Sequence, residues 1–144
     1  MDYSKMGERE KQQLVQEVNI LQKLRHPNVV RYYDRVVDRQ HARLYIVMEY
    51  CEGGDLAQVV RRCRRERKTI EESVIWRVLL QLALALNECH RHKDGVILHR
   101  DVKPGNVFLD GEHNVKLGDF GRARVLSKES VYAHTFVGTP YYMS

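Results

Sequence analysis

The sequence predicts an α+β domain that combines long helices with short antiparallel strands. Apolar residues recur at helical spacing in two long stretches, and the rest of the chain carries short β-branched and aromatic runs separated by turn residues. The composition is that of a folded domain, since 43% of the 144 residues are hydrophobic and 30% are charged. A disordered tail is therefore excluded, and a buried core is expected.

The first helix is predicted between about Glu8 and Arg25. His26-Pro27 ends it, because proline disfavours the helical conformation in the residue before it. Two strands are predicted next, Val29–Val37 and Leu44–Tyr50, and the polar segment between them predicts a hairpin. The helix is expected to bury one apolar stripe, formed by Leu14, Val18, Leu21 and Leu24.

The second half begins with two further helices. Asp55 follows a pair of glycines and is expected to cap a short helix that continues into a basic run. Thr69 to Glu72 has the capping-box pattern, which predicts the start of a helix that continues to about His92 and is buried on most sides. A mobile surface loop is expected after Gly121. Short strands separated by turns are predicted at Val96–Leu98, Val107–Leu109 and Val115–Leu117.

Charge and cysteine content exclude several classes of protein. Five arginines at 61–67 suggest a nucleic-acid surface, but no aromatic residue lies among them to stack on a base, so a solvated helix end is favoured. Three cysteines without C-x-x-C spacing are interpreted as reduced thiols. No apolar run reaches the roughly 18 residues of a membrane span, and no secretory signal is found. An intracellular protein with neither membrane nor nucleic-acid partner is expected.

The most specific pattern is H-R-D-V-K-P-G-N at residues 99–106, followed by D-F-G at 119–121. Two short strands flank the turn between these motifs. The strands are expected to pair antiparallel, which would bring Asn106 and Asp119 together at the open end of the hairpin. An amide oxygen and a carboxylate that converge there are suitable ligands for Mg²⁺. The sequence therefore predicts a magnesium site.

Asp101 and Lys103 lie in the same loop as Asn106. Asp101 can accept a proton from a hydroxyl group, and Lys103 can place positive charge where a transferred phosphoryl group gathers negative charge. The alternative is a surface ion pair beside turn-forming residues. The order and spacing of all four residues favour phosphoryl transfer.

These motifs resemble two signatures of the eukaryotic protein kinases, and lysine at position 103 resembles the serine/threonine class. Longer strings resemble the NIMA-related kinases, in particular their centrosomal mitotic branch: L-Y-I-V-M-E-Y-C-E-G-G-D-L at 44–56, N-V-F-L-D at 106–110 and T-F-V-G-T-P-Y-Y at 135–142. The resemblance covers nearly the whole chain. It implies a truncated kinase fold, with part of the small lobe at residues 1–50 and part of the large lobe at 51–144.

The resemblance implies a catalytic role for each matching residue. Asp101 would be the catalytic base, and Lys103 would be the cation that steadies the phosphate. Asn106 and Asp119 would hold Mg²⁺. The implied reaction is transfer of the γ-phosphate of Mg-ATP to hydroxyl groups of protein substrates.

The nucleotide pocket is implied in the same way. Met48 would be the gatekeeper, and the backbone of Glu49 and Cys51 would form hydrogen bonds with adenine. Glu17 lies on the apolar arc of the first helix, where an acid is unexpected. In the family this glutamate pairs with a strand lysine that holds the ATP phosphates.

Regulation and location are also implied by the resemblance. Thr135 matches the phosphorylation site of the activation loop, and a phosphate there could pair with Arg100. Cytoplasm and centrosome are the expected locations, with the nucleus as a further one, and a homodimer would form through regions absent from this sequence.

The sequence contains no G-x-G-x-x-G and no lysine-bearing strand before the first helix, and it ends before an A-P-E-like motif. It is therefore expected to be a fragment of a kinase domain, inactive on its own. The alternative is a non-catalytic isoform that binds kinase partners, and a basic nucleic-acid module ranks last.

Overall fold

The computed structural model describes residues 6–126, and the elements of this part confirm the α+β class. The helices are α1 (Glu8–Lys23), α2 (Leu56–Glu66) and α3 (Glu72–His90). The strands are β1 (Tyr32–Asp38), β2 (Arg43–Met48), β3 (Gly54–Asp55), β4 (Val96–Leu98), β5 (Val107–Leu109), β6 (Val115–Leu117) and β7 (Arg124–Leu126). A short 3₁₀ helix at Pro104–Asn106 leads into β5.

Helix α1 begins with a polar cap and buries the predicted stripe. The Glu10 carboxylate accepts a hydrogen bond of 2.8 Å from the backbone N–H of Gly7, which satisfies one of the amide groups that a helix start leaves without an intrahelical partner. The helix ends two residues earlier than the sequence pattern suggested, and the N–H of Leu24 closes it onto the carbonyl of Ile20. The predicted apolar residues are all buried: Leu14, Val18, Leu21 and Leu24.

Strands β1 and β2 form the predicted antiparallel hairpin, but the prediction that β1 starts at Val29 is wrong. Val29 and Val30 are buried beside β6 instead, where the N–H of Val30 donates to the carbonyl of Leu117 over 2.9 Å. The Asn28 side chain fixes this placement by donating to the carbonyl of Val115 over 2.9 Å. Val29 and Val30 therefore pair with strand β6 and not with the β1-β2 hairpin.

Helix α2 has the predicted cap, whereas the predicted cap of α3 is wrong. The Asp55 carboxylate accepts a hydrogen bond of 2.8 Å from the N–H of Gln58, as expected at a helix start. Helix α3 begins at Glu72 with Glu71 at its N-cap and without a side-chain cap. The Glu71 carbonyl accepts the first helical hydrogen bonds, so Thr69 remains in the connection before the helix.

The expectation that α3 is buried on most sides is also wrong for the described residues. Ala85 and Cys89 are its fully buried residues, and they pack in the main core. Residues 6–126 cover one face of this helix. Large apolar side chains are exposed on the rest of it: Ile75, Trp76, Leu79, Leu80 and Leu84.

Strands β3, β5 and β6 form one antiparallel sheet, and the β5-β6 hairpin connects the two sequence motifs. The turn between β5 and β6 is held by Asp110, whose carboxylate accepts from the N–H groups of Glu112 and Asn114. Gln81 is a polar residue within the apolar pattern of α3. Its side-chain oxygen accepts a 2.7 Å hydrogen bond from the N–H of Val115. The helix therefore fixes the position of the hairpin.

The described part of the segment after Gly121 is a strand and not the expected loop. Strand β7 pairs antiparallel with β4, with Val125 opposite Ile97. Residues 127–144, where the rest of the predicted loop falls, lie outside the described part of the chain.

The core joins α1, α3 and the D-F-G segment. Phe120 is 1% exposed and packs in this cluster, so the motif is anchored at its centre. All three cysteines are free thiols, as predicted. Between residues 6 and 126, none of the helices has the length and apolar character needed to cross a membrane. The core residues are Ile20, Leu21, Leu24, Val29, Ala85, Cys89, Ile97, Leu117, Phe120 and Ala123.

Candidate active site

His99 connects the two motifs beneath the site. It is 2% exposed, its Nε2 lies 2.9 Å from the carbonyl oxygen of Gly118, and its Nδ1 accepts from the N–H of Asp101 over 3.3 Å. The ring also packs edge-on against Phe120 with 4.7 Å between centroids. The backbone on either side of the site is thereby held by one side chain.

His99 is neutral in this environment. Burial lowers its pKa below the ordinary value, and this effect outweighs the opposing hydrogen bond to the Gly118 carbonyl. The partners assign the tautomer, because a ring that donates from Nε2 to a carbonyl and accepts at Nδ1 carries its proton on Nε2.

Asp101 is a buried carboxylate, 4% exposed, at the centre of the loop. Its Oδ2 accepts from Lys103 Nζ over 2.9 Å and from Asn106 Nδ2 over 3.0 Å. Asn106 Nδ2 also donates to the Asp101 carbonyl over 2.8 Å. Three of the four residues that the sequence predicted as a site are therefore in direct contact.

Asp119 lies beside this cluster through the sheet. The N–H of Gly118 donates to the Asn106 carbonyl over 3.0 Å, so the open end of the hairpin brings Asn106 next to the residue that precedes Asp119. Asp119 has a positive φ of 56°, a conformation that turns the chain sharply after β6, and its side chain is exposed.

The donor set at this place fits Mg²⁺. The Asn106 amide nitrogen faces Asp101, so its oxygen faces away from that carboxylate, and Asp119 supplies an exposed carboxylate. Two hard oxygen donors agree with the few protein ligands that Mg²⁺ takes when phosphates and water supply the rest.

Glu17 approaches the D-F-G motif from α1. A Cβ atom placed on Gly121 would lie 3.3 Å from Glu17 Oε2, so only glycine allows this close approach without a shift. Burial raises the pKa of the Glu17 carboxyl, and the charge of Asp119 raises it further. The structure therefore places this acid near the predicted magnesium site.

Met48, Glu49 and Cys51 lie where the chain passes from β2 to β3. The N–H of Glu49 donates to the carbonyl of Arg31 over 2.8 Å, and the Glu49 carboxylate lies 2.6 Å from Lys116 Nζ on β6. Burial raises the pKa of the half-buried Cys51 thiol, and the charge of Glu49 adds to this effect. The segment is fixed to both the hairpin and the β3-β5-β6 sheet.

The protein kinase domain family matches residues 1–144. The chain belongs to the protein kinase family. It is 66% identical over 142 residues to "Probable serine/threonine-protein kinase nek2" of Dictyostelium discoideum, a match that covers 99% of this chain and 34% of that protein. It is 62% identical over 146 residues to "Serine/threonine-protein kinase Nek2" of Homo sapiens, covering 100% of this chain and 33% of that protein.

A more distant relative is "G2-specific protein kinase nimA" of Emericella nidulans, which is 42% identical over 168 residues and is covered to 24%. These matches confirm the resemblance to the NIMA-related kinases. The chain spans about a third of the length of the first two relatives.

Of the two predicted regulatory residues, one lies in the described part of the chain and the other does not. Thr135 lies outside residues 6–126. Arg100 has a positive φ of 63°, and its Nε donates to the carbonyl of Arg122 over 2.7 Å. Burial lowers the pKa of Arg100, and the nearby charge of Arg124 lowers it further.

Sequence reasoning missed two contacts of this site. Arg122, the residue directly after D-F-G, lies with Nη1 3.4 Å from Asp101 Oδ1. Lys116 was treated as an ordinary strand residue, yet it pairs with Glu49. Each contact joins residues that are far apart in the sequence, so no local pattern indicates either of them.

Proposed function

We propose that this chain is the central part of a serine/threonine protein kinase that transfers the γ-phosphate of Mg-ATP to hydroxyl groups of protein substrates. The observation that carries the proposal is the cluster formed by Asp101, Lys103 and Asn106 within one loop, beside Asp119. A base, a cation and two oxygen donors at one place are the groups that phosphoryl transfer requires.

In this proposal Asp101 accepts the proton of the substrate hydroxyl as that oxygen attacks the γ-phosphorus. Its geometry supports the role, because the carboxylate is buried and its backbone is held by the His99 ring. A base that is positioned before the substrate arrives requires little reorganisation during the reaction.

Lys103 balances the charge of Asp101 and extends positive charge toward the transferred phosphoryl group. Asn106 and Asp119 are proposed to hold Mg²⁺, which supplies positive charge that neutralises the ATP phosphates. The loop and the neighbouring D-F-G segment are thus proposed to orient the attacking hydroxyl and the phosphates of ATP.

Residues in the segment after β2 are proposed to bind adenine, with Met48 as gatekeeper. Because the Glu49 N–H already donates to Arg31, its carbonyl is the group proposed to accept from adenine, and Cys51 contributes its backbone. The Glu49–Lys116 ion pair supports a fixed backbone at this point.

The remaining assignments involve partners that lie outside the described part of the chain or beyond this sequence. Glu17 is proposed to pair with a strand lysine encoded upstream, and phosphate on Thr135 is proposed to pair with Arg100. We also propose a longer product that dimerises through other regions and is found in the cytoplasm, at the centrosome and in the nucleus. The names of the relatives support a cell-cycle role, since one is called a G2-specific protein kinase.

The test is Asp101→Asn in the full-length product of the gene, assayed for phosphate transfer from ATP to protein serine and threonine. Loss of a general base lowers kcat by about 10²- to 10⁴-fold. Asp34→Asn, an exposed carboxylate on β1, is the matched control and keeps the activity of the parent protein. Activity of Asp101→Asn above half of the parent value would contradict the proposal.

The alternative function is a non-catalytic, kinase-binding isoform limited to these residues. The observation that favours it is the exposed apolar surface of α3 and the hairpin, which is suited to association with another protein. Metal-dependent ATP binding with turnover by the 144-residue product would rule this alternative out.

A further inference from the structure

A groove lies between α2 and α3, and it shares no lining residue with the candidate active site. Its volume is about 520 Å³, which falls within the range of roughly 300–1,000 Å³ that binding pockets have. Aliphatic side chains from both helices line it, among them Leu56 and Val59 of α2 and Val74 and Val78 of α3. Leu109 of β5 adds a buried side chain to the same lining.

The described residues leave the lining of this groove partly in contact with water. None of the residues of α2 is fully buried, and Ile75 and Leu79 of α3 are 45% and 49% exposed. Apolar surface that stays in contact with water gains free energy when another apolar group covers it. The groove is therefore suited to receive aliphatic side chains.

Positive charge lies at the groove on both helices. Arg62 of α2 and Arg77 of α3 belong to the lining, and both side chains are exposed. Among residues 6–126 neither of them forms an ion pair, whereas Arg61 of the same basic run lies 4.0 Å from Asp55. The two arginines of the lining thus present uncompensated charge to whatever occupies the groove.

The charge of the groove is also unevenly distributed. Glu52 is the acidic residue of the lining within the described part of the chain, and it lies four residues before α2 begins. Arg62 lies in the second turn of α2, about 9 Å along the helix axis from Leu56. An acidic ligand therefore aligns its carboxylates toward the arginines and away from Glu52.

We propose that this groove binds a linear segment of a partner protein in which aliphatic residues lie next to acidic ones. The aliphatic side chains enter the groove, and the carboxylates pair with Arg62 and Arg77. A second copy of this chain matches less well, because its formal net charge is +5. Nucleic acid would leave the apolar lining uncovered, and the lining holds no Phe, Tyr or Trp side chain for a base to stack on.

The test measures binding of fluorescein-labelled peptides of about 12 residues to the full-length protein by fluorescence anisotropy. Each peptide of the panel carries two leucines, spaced two, three or four positions apart, with four glutamates before or after them. The peptides contain no serine, threonine or tyrosine, so none of them is a kinase substrate. At least one peptide binds with a Kd at or below about 100 µM. In that peptide, replacing both leucines by alanine raises the Kd by at least about tenfold, and replacing the glutamates by glutamine raises it by at least about threefold.

Variants of the protein locate the site. The double variant Arg62→Glu and Arg77→Glu raises the Kd of the best peptide by at least about tenfold, because each reversal replaces attraction with repulsion. Arg65→Glu is the matched control, since Arg65 is an exposed residue of the same helix. At about 100° per residue it lies on the face of α2 opposite Leu56, and screening over about 8 Å keeps its effect below about twofold.

A third variant tests the apolar part of the groove. Ile70→Ser shortens one partly exposed aliphatic side chain of the lining and raises the Kd by about three- to tenfold. Thermal unfolding shows that all variants are folded. Asp101→Asn leaves the Kd unchanged, so failure of this inference and failure of the proposed function are separate results.

Four results would overturn the proposal. The first is a panel in which no peptide binds with a Kd below about 1 mM. The second is an equal loss of affinity in Arg65→Glu and in the double reversal. The third is a labelled oligothymidine of about 12 nucleotides that binds more tightly than the best peptide and is unaffected by Ile70→Ser. The fourth is self-association of the full-length protein that the double reversal abolishes, which would identify the groove as an interface between copies of the chain.

Discussion

His99 makes the geometry of the site depend on protonation. Its neutral ring accepts from the N–H of Asp101 at Nδ1, and a second proton on that nitrogen would remove this hydrogen bond. Burial lowers the pKa of His99 from 6.5, while the charges of Asp101 and Asp119 act in the opposite direction and Lys103 acts with burial. The unfolded chain therefore binds a proton more readily than the folded chain.

It follows that the contribution of His99 to stability is intact above about pH 6.5 and is lost progressively as the pH falls from there toward the lower pKa of the folded state. Urea unfolding of the protein, measured between about pH 7.5 and 5.5, is expected to show a free energy of unfolding that decreases as the pH is lowered. The variant His99→Gln has no group to titrate there, so its slope is shallower. Equal slopes would show that His99 does not titrate between the two states.

The Glu49–Lys116 pair is a second residue-scale feature with an energetic consequence. The two atoms are 2.6 Å apart, and the side chains are 20% and 14% exposed, so removal of one partner leaves a charge with little access to water. Lys116→Met is expected to cost about 1–3 kcal/mol of unfolding free energy. The double variant with Glu49→Gln should cost at least about 0.5 kcal/mol less than the sum of the two singles. Additive costs in urea unfolding would mean that the pair is not coupled.

The core of the site was predictable because Asp101, Lys103 and Asn106 lie within six residues of one another in the sequence. A short loop has few conformations that keep these three residues apart, so their spacing alone predicted that the side chains lie together. The contacts of Arg122 and Lys116 depend on how the turn after D-F-G and strand β6 lie against other elements. Their partners are far away in sequence, and local patterns hold no record of them.

At the scale of elements, the two predicted helix caps give a direct comparison. Asp55 accepts from the Gln58 N–H, whereas Thr69 lies before the start of α3 at Glu72. Asp55→Ala is expected to lower the unfolding free energy by about 1 kcal/mol, and Thr69→Ala by less than about 0.5 kcal/mol. Both changes are measured by urea unfolding of the same protein. An equal loss of unfolding free energy for Thr69→Ala and Asp55→Ala would show that Thr69 caps α3, as the sequence pattern predicted.

Element types were predictable where periodicity was long, and their ends were not. Helix α1 and the β1-β2 hairpin follow their patterns, since each buries or pairs its residues locally. Val29 and Val30 have strand-like side chains but pair with β6, because Asn28 ties them to Val115. Such pairing is a tertiary effect that a linear pattern does not contain.

At the scale of the whole molecule, the described residues leave much apolar surface uncovered. One face of α3 exposes Trp76 and Leu80, and the hairpin exposes Val37 and Tyr45. Apolar periodicity predicted a buried α3, and the partners that would bury its second face are not found within residues 6–126. The apolar pattern of α3 thus indicates a helix that is buried on two faces, and residues 6–126 bury one of them.

Self-association of the isolated 144-residue chain is the expected consequence. Exposed apolar patches associate because association removes their area from water, and the β1-β2 sheet, which has two strands within residues 6–126, adds a further route. Light scattering during gel filtration should therefore detect species larger than the 17.0 kDa monomer, and their share should increase with protein concentration.

The double variant Trp76→Arg and Leu80→Glu places opposite charges on the exposed face of α3 and should shift the chain toward the monomer. Arg77→Glu changes a charged residue on the same helix without removing apolar area, so it leaves the distribution unchanged. A parent chain that stays monomeric at about 100 µM would show that the surface of α3 does not drive association, since an apolar contact of useful size gives dissociation constants at or below this concentration.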